Sequence, residues 1–477
     1  MLTQRKLGIS NQNCCYYFTK GSMKKMLFLL ALLQGVLVWY LYRGEKVISS
    51  SVFSDREPTR PVREYAFQGF HQSGLFHIPL TYQEDMNSFY AEVAKDVWCF
   101  VRGLDLASSQ KQHSCICLTG WYGLDCGLPQ AVWSSEFLMN GNKPGVWIKR
   151  RGRPRRLING VVFTMDFDLL EIRINELNNS VDAFLVAEQN CSTTRDETSL
   201  PLLSKLQQGF LKEFQHKIIY VSIGDISLQK FEAVEDHEWE HTAQVDMWRN
   251  GIQMLTDFRP DDMFVFSKMS DIPSGDVLLF FKLYDGFSEP VGFHLRSVMY
   301  NFALKEPLSS YNNNSNNIML IACSFAFFSS LCDYNVNDLQ ESTWKQSQHL
   351  AKFESNFGKV NYWKVGSLKA PAGWSCRWCL RPLDLGKALA DQKCPNKPIG
   401  VHVANSLLKD NNSLALEMFI KRGMSLDMSF VGHRVFQPEN GHHYAPSYIL
   451  LNKKKFDFLL GECYGSDTLR NETLNKS

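Results

Sequence analysis

Residues 161–188 read Val161-Val-Phe-Thr-Met-Asp-Phe-Asp-Leu-Leu-Glu-Ile-Arg-Ile-Asn-Glu-Leu-Asn-Asn-Ser-Val-Asp-Ala-Phe-Leu-Val-Ala-Glu188, and their periodicity decides the fold. Val161-Val162-Phe163 is a short apolar run and predicts a strand. Phe167, Leu170, Ile174 and Leu177 then recur at helical spacing and give one apolar face. Ala183 to Ala187 (AFLVA) has no polar interruption before Glu188, the pattern of a strand buried on both sides. Working outward, Leu203 to Phe214 predicts a helix, Ile218 to Ser222 a strand, His241 to Leu255 a helix and Met263 to Phe266 a fourth strand. Strands alternating with helices imply an α/β architecture, a mostly parallel sheet covered on both faces. Ligands in such folds sit at the carboxyl ends of the strands, so the residues after Val186 and Phe266 are the first to search for chemistry.

Composition narrows the function classes. Lys plus Arg number 51 against 49 Asp plus Glu in 477 residues, so no global positive charge is available to hold nucleic acid. Hydrophobic residues at 44% and aromatics at 13% exclude a disordered chain. Thirteen cysteines point to an oxidising compartment. Met26–Tyr42 (MLFLLALLQGVLVWYLY) is uncharged and just long enough to span a bilayer. Arg5, Lys6, Lys20, Lys24 and Lys25 precede it without an acidic residue, and Arg43, Glu45 and Lys46 follow. That asymmetry predicts a signal anchor with a cytosolic N-terminus and a luminal remainder, Trp39, Tyr40 and Tyr42 sitting at the interface. A cleaved signal peptide is the rival, but no small-residue cleavage site follows the apolar run. Cys14 and Cys15 then fall in the cytosolic tail. Asn-x-Ser/Thr triplets begin at Asn178, Asn190, Asn313, Asn411, Asn471 and Asn475, candidate glycosylation sites in a luminal protein.

The predicted organisation is a cytosolic tail (1–25), an anchor (26–42), a stem (43–98), a cysteine module (99–127), a basic linker (128–155), an α/β domain (156–465) and a C-terminal tail (466–477). Cys115-Ile-Cys117-Leu-Thr-Gly120-Trp121-Tyr-Gly123-Leu-Asp-Cys126 has the shape C-x-C-x2-G-W-x-G-x2-C and resembles the C-terminal half of an epidermal-growth-factor-like module. By that analogy Cys117 pairs with Cys126 and Cys115 with Cys99. A zinc site is the competing idea, without a second C-x2-C pair at ribbon spacing. The run Lys149-Arg150-Arg151-Gly-Arg153-Pro-Arg155-Arg156 is read as a solvated linker, a site for an anionic membrane or glycan being the alternative.

Six strings carry a wider resemblance. They are the Phe167–Leu177 and Val181–Glu188 segments, Arg259-Pro-Asp-Asp262, Leu283-Tyr-Asp-Gly-Phe-Ser-Glu-Pro290, Gly373-Trp-Ser-Cys-Arg-Trp-Cys379 and Tyr444-Ala-Pro-Ser-Tyr448. In this order they resemble the β-1,4-mannosyl-glycoprotein 4-β-N-acetylglucosaminyltransferase family, over about residues 98 to 460; residues 381 to 440 match poorly. The resemblance implies a GT-A-like Rossmann-type domain in a type II Golgi membrane enzyme. Such an enzyme transfers GlcNAc from UDP-GlcNAc, with inversion, to O4 of the core β-mannose of N-glycans, adding the bisecting residue.

One departure bears on chemistry. Where similar proteins carry Asp-x-Asp-Glu-Ile-Pro, whose two aspartates would hold a divalent metal, this chain reads Lys268-Met269-Ser270-Asp271-Ile272-Pro273. Two unit charges ~4 Å apart repel by about 4 kcal/mol at an effective dielectric of ~20, and a divalent ion beside Lys268 fares worse. Ordinary binding of Mn²⁺ or Mg²⁺ is therefore not expected. Two readings are open at this point. Either Lys268 and Ser270 receive the donor diphosphate without a metal and Asp271 is the carboxylate of the reaction, or the chain is an inactive homologue that binds glycan or a luminal partner. Arg249 and Asn250, beside Trp248, are further donor-binding candidates; Glu188 is the second-choice carboxylate. Trp374 and Trp378 are candidates for an acceptor-stacking platform, with Cys376 and Cys379 beside them as a disulfide or core packing. His442 and His443, adjacent in sequence, do not suit a shared metal.

Overall fold

Leu157–Val162 (β1), Ala183–Gln189 (β2), Ile218–Ile223 (β3) and Met263–Phe266 (β4) run parallel, in the spatial order β3-β2-β1-β4. In this computed structural model the described residues are 78–80, 85–135, 148–164, 166–189, 200–223, 236–305, 320–381, 384–385 and 444–461. The chain divides into two units, Met1–Glu64 and Tyr65–Ser477, and every described residue belongs to the second. The expected tail, anchor and most of the stem lie outside the described residues. So do Asn190, Asn313, Asn411, Asn471, Asn475, Cys191, Cys394, Cys463, His442 and His443. Among the described residues no helix is long and apolar enough to cross a membrane.

Beyond β4 the sheet continues through Ile321–Ser324 (β9), Val291–Phe293 (β6) and Trp363–Val365 (β10). Only β9 runs against the rest, being antiparallel to both β4 and β6. The expected mostly parallel sheet is found. Every position of β1 and β2 is buried because both faces are covered. Leu157, Val161, Phe184 and Val186 face one core with Phe167–Leu177 (α1), Pro201–Gln207 (α2) and Gly275–Leu283 (α4). Ile158, Val162, Leu185 and Ala187 face the other with Asp236–Gln253 (α3) and Phe325–Leu331 (α5). Each fully buried Leu, Ile or Val stabilises this arrangement by about 1.5–3 kcal/mol. Gly160 lets α3 approach, since a Cβ there would lie 2.4 Å from the Trp248 ring.

α1 starts where Asp166 accepts the Leu169 N–H at 2.9 Å, an N-cap bond. The helix expected over 203–214 is instead broken: α2 ends at Gln207, and Gly209 (φ +94°) and Leu211 (φ 56°) turn the chain through left-handed backbone. The other expected strands and helices are present, several extended by a few residues.

A second sheet of four strands orders as β5-β11-β7-β8: Asp271–Pro273 (β5), Gly373–Arg377 (β11), Arg296–Met299 (β7) and Asn301–Lys305 (β8). In the cysteine module, Cys99–Cys115 and Cys117–Cys126 are disulfides, the pairing the resemblance implied, so these four thiols do not form a zinc site. Phe100 of the module and Leu128 just after it join the main core, and Tyr284 donates to Asp125 at 2.8 Å. Cys376–Cys379 is also a disulfide, while Cys323 and Cys332 are buried free thiols.

The basic run is not a solvated linker. Lys149–Arg150 pairs as a strand with Tyr284–Asp285, and Arg151 bonds both Asp261 and Asp285. Arg155 donates to the Phe281 carbonyl at 2.8 Å and to Asp285 at 2.7 Å; Arg156 is buried against Asp262. The arginines fold inward because a carbonyl near the end of α4, the favourable end of a helix for cations, and the carboxylates of Asp261, Asp262 and Asp285 await them.

Candidate active site

β1 and β4 are parallel neighbours, so their carboxyl ends lie at one edge of the sheet, the usual ligand position in such sheets. At that edge the chain leaves β4, turns through Ser267-Lys268-Met269-Ser270 and enters the second sheet at Asp271. A turn this deep must satisfy its carbonyls internally. Arg173, on α1 and 0% exposed, does so, donating to the carbonyls of Lys268 (2.5 Å), Met269 (3.2 Å) and Asp271 (2.5 Å). The other guanidinium nitrogen donates to Ser267 Oγ (2.9 Å) and Asn159 Oδ1 (3.1 Å). Asn159 of β1 in turn donates to Ser267 Oγ (3.1 Å), and Ser267 donates to the Gly160 carbonyl (3.2 Å), tying turn, strand and helix together.

Asp271 is the first residue of β5 and stands across from Ser375 of β11. Its Oδ1 accepts from Ser375 Oγ at 2.6 Å and from Ser270 Oγ at 3.2 Å. Burial raises the Asp271 carboxyl above the ordinary range, against the opposing pull of Ser375, Lys268, Arg173 and Ser270. A carboxylate so raised takes up a proton more readily, which is what deprotonating a hydroxyl asks of it. Lys268 is half-buried at the head of the same turn and acts electrostatically on Asp271.

These residues do not fit a divalent metal. One oxygen of Asp271 already accepts two hydroxyls, the residue three positions back is Lys268 with a positive charge, and Ser270 offers only a neutral oxygen. Among the described residues no three His, Cys, Asp or Glu side chains converge on a point where an ion could sit.

The other candidates scatter. Glu188 does end on the carboxyl edge, at β2, but its oxygens accept the N–H groups of Leu202 (2.6 Å) and Leu203 (3.0 Å) and the Tyr220 hydroxyl (2.8 Å). It fastens the start of α2. Arg249 lies on the solvent face of α3, 59% exposed and 3.4 Å from Asp246, while its neighbour Trp248 is the residue packed on the sheet. Asn250 is half-buried on the same helix; neither belongs to the Ser267–Asp271 turn. Trp374 is paired opposite Ile272 and is 4% exposed in the core, which removes it from any open stacking platform; Trp378, at the Cys376–Cys379 turn, is half-buried. Asn178, the described glycosylation candidate, is half-buried at the end of α1. A cleft of about 500 Å³ lined by Asp333, His349, Lys352 and Asn356 shares no residue with the turn.

Three residues of the turn's surroundings gave no signal of their own. Arg173 is a polar position in a helix, Asn159 a polar residue before an apolar run, and Ser375 stands 104 residues from Asp271. Only the closing of the two sheets brings them together.

The family model described as Glycosyltransferase family 17 matches residues 145–330, a span containing β1 to β4, Arg173, the turn and Asp271. Over these residues the chain is similar to the family-17 glycosyltransferases. Two curated relatives, each named beta-1,4-mannosyl-glycoprotein 4-beta-N-acetylglucosaminyltransferase, come from Rattus norvegicus and Homo sapiens. Each is 28% identical over 359 residues, 74% of this chain and 63% of the relative. This chain thus spans less than two thirds of their length. A crystal structure of a mycobacterial protein matches 52% of this chain and 73% of its own at 12% identity and a TM-score of 0.24, a likeness too slight to bear on the fold. The region that matches the family model holds, at its sheet's carboxyl edge, a lysine and a buried carboxylate on one short turn.

Proposed function

We propose that this chain transfers GlcNAc from UDP-GlcNAc to O4 of the core β-mannose of N-glycans, with inversion and without a divalent metal. The observation that carries the proposal is the pairing of Lys268 and Asp271 on one turn at the carboxyl edge of β4, inside the region that matches the family model. The names of the relatives supply the transferred sugar and the acceptor class. Asp271 takes the proton from the acceptor hydroxyl as that oxygen attacks the anomeric carbon. The bond from this carbon to the departing phosphate oxygen breaks, its electron pair stays with UDP, and the ammonium of Lys268 neutralises the charge that develops there. Ser270 offers a hydroxyl to the same phosphates. A single displacement inverts the anomeric centre. The proposed setting is the Golgi membrane, with Met26–Tyr42 as the signal anchor and the region that matches the family model in the lumen.

The test is transfer by the full-length chain from UDP-GlcNAc to a biantennary N-glycan, with EDTA and with Mn²⁺. Expected is a product carrying a bisecting residue, formed equally in EDTA and lost in Lys268→Ala. Activity abolished by EDTA and restored by Mn²⁺ sinks the metal-free mechanism; UDP binding without any product sinks the transferase.

A further inference from the structure

Among the described residues, the buried cations follow one rule with one exception. Arg156 meets Asp262, Arg155 meets Asp285, and Lys282 meets Asp182 at 2.8 and 2.6 Å, so each has a carboxylate in hydrogen-bond contact. That is the ordinary requirement for a charge taken out of water. Arg173 is as buried as any of them, yet its hydrogen bonds run to three carbonyls, one hydroxyl and one amide oxygen, all neutral, and its Nε has no acceptor. Burial brings its pKa down to about 10, which leaves it charged at neutral pH. The acid that acts on it electrostatically is Asp271, and Arg173 touches that residue through the backbone oxygen alone. Asp271 also feels Lys268, and its own charged form is disfavoured by burial. Two cations and one reluctant carboxylate make a turn with surplus positive charge, built where the ligand of an α/β sheet sits.

We propose that Arg173 is a positioning residue of the donor site: it clamps the Lys268–Asp271 turn through three carbonyls and adds a fixed positive charge beneath it, so that the diphosphate of a nucleotide sugar completes a charge balance which a metal ion completes elsewhere. The inference rests on the transferase reading above and gives its donor site a second cation. Arg173 does not touch the donor. It sets the pose of Lys268 and the field in which the diphosphate is held. The arrangement also accounts for a buried guanidinium that no carboxylate neutralises.

Calorimetric titration of the full-length chain with UDP and with uridine, both in EDTA, tests it across wild type, Arg173→Lys and Arg173→Gln. Expected is that Arg173→Gln weakens UDP by roughly tenfold to a hundredfold, the range of one buried charge-assisted interaction, and leaves uridine unchanged. Arg173→Lys keeps the charge and loses the three-carbonyl clamp, so UDP affinity falls less while kcat drops at nearly constant donor KM. A merely structural arginine lowers the unfolding temperature and leaves the folded protein's UDP-to-uridine ratio as it was; that result overturns the proposal. Where Arg173→Gln fails to fold, Ser267→Ala removes the hydroxyl that joins the guanidinium to the turn, and it too must weaken UDP and not uridine; an unchanged ratio overturns the proposal. Wild type that binds no UDP at all is a different failure, one that removes the transferase reading itself.

Discussion

Glu188 and Asp271 are both buried carboxylates near the carboxyl edge of the seven-stranded sheet, and both are pushed upward by burial. They differ in what occupies their oxygens. Glu188 accepts two backbone N–H groups at the start of α2 and a tyrosine hydroxyl, and each of its two oxygens is engaged in holding an element in place. Asp271 has both of its hydroxyl partners on a single oxygen, Oδ1, and it sits on a turn that carries a lysine and rests on an arginine. The comparison teaches that position at the ligand edge is not enough. A carboxylate whose lone pairs are spent on the fold is a fastener, and the one with a less committed oxygen next to cations is the one equipped to move a proton.

The comparison can be broken first at its strongest point. Asp271→Asn is expected to lower kcat by about 10²–10⁴-fold, the usual contribution of general-base catalysis, with UDP affinity retained in titrations. In wild type the rate is expected to rise with pH through a value above the ordinary carboxylate range, because Asp271 must lose its proton to work. Glu188→Gln is expected to cost about 1–3 kcal/mol in urea unfolding, since an acceptor of buried N–H groups is weakened, and to leave kcat per folded molecule unchanged. Should Glu188→Gln slow transfer as much as Asp271→Asn, the division between fastener and base fails.

A smaller effect tests the electrostatics of α1. Burial pushes Asp166 up to about 8 and Glu176 up to about 7, from ordinary values of 3.8 and 4.5. The folded chain therefore holds these protons more tightly than the unfolded one. Their contribution to stability is complete below about pH 4 and declines as the pH rises to about 8. Urea midpoints measured from pH 5 to 8.5 are expected to show this decline, and Asp166→Asn to flatten it. The smallest effect is expected at Arg249→Ala: an exposed residue with one i,i+3 ion pair changes stability by no more than about 0.5 kcal/mol and transfer not at all. A large loss of donor affinity there would return α3 to the site.

The βαβ core was legible because buried parallel strands leave uninterrupted apolar runs, and Met263–Phe266 is found with the bounds its sequence suggests. The two disulfides of the cysteine module follow the local spacing of a recognisable motif. Less was legible wherever a partner lies far along the chain. The arginines at 151–156 read as solvated because their aspartates at 261, 262 and 285 are more than a hundred residues away. Trp374 read as a platform because nothing local announces that β11 buries it against β5.

By itself the sequence determined the layered α/β domain, the oxidised cysteine module and the replacement of an acidic pair by Lys268 and Ser270. These are properties of short windows, where hydrophobic period, turn residues and charge act within a few positions. The tertiary structure alone decided which charges are free to react. It spent Glu188 on α2, turned the basic run inward and set Arg173 under the turn without a carboxylate. The physical reason is that the state of a buried charge depends on everything within a few ångströms, and those neighbours come from strands and helices the chain brings together only on folding.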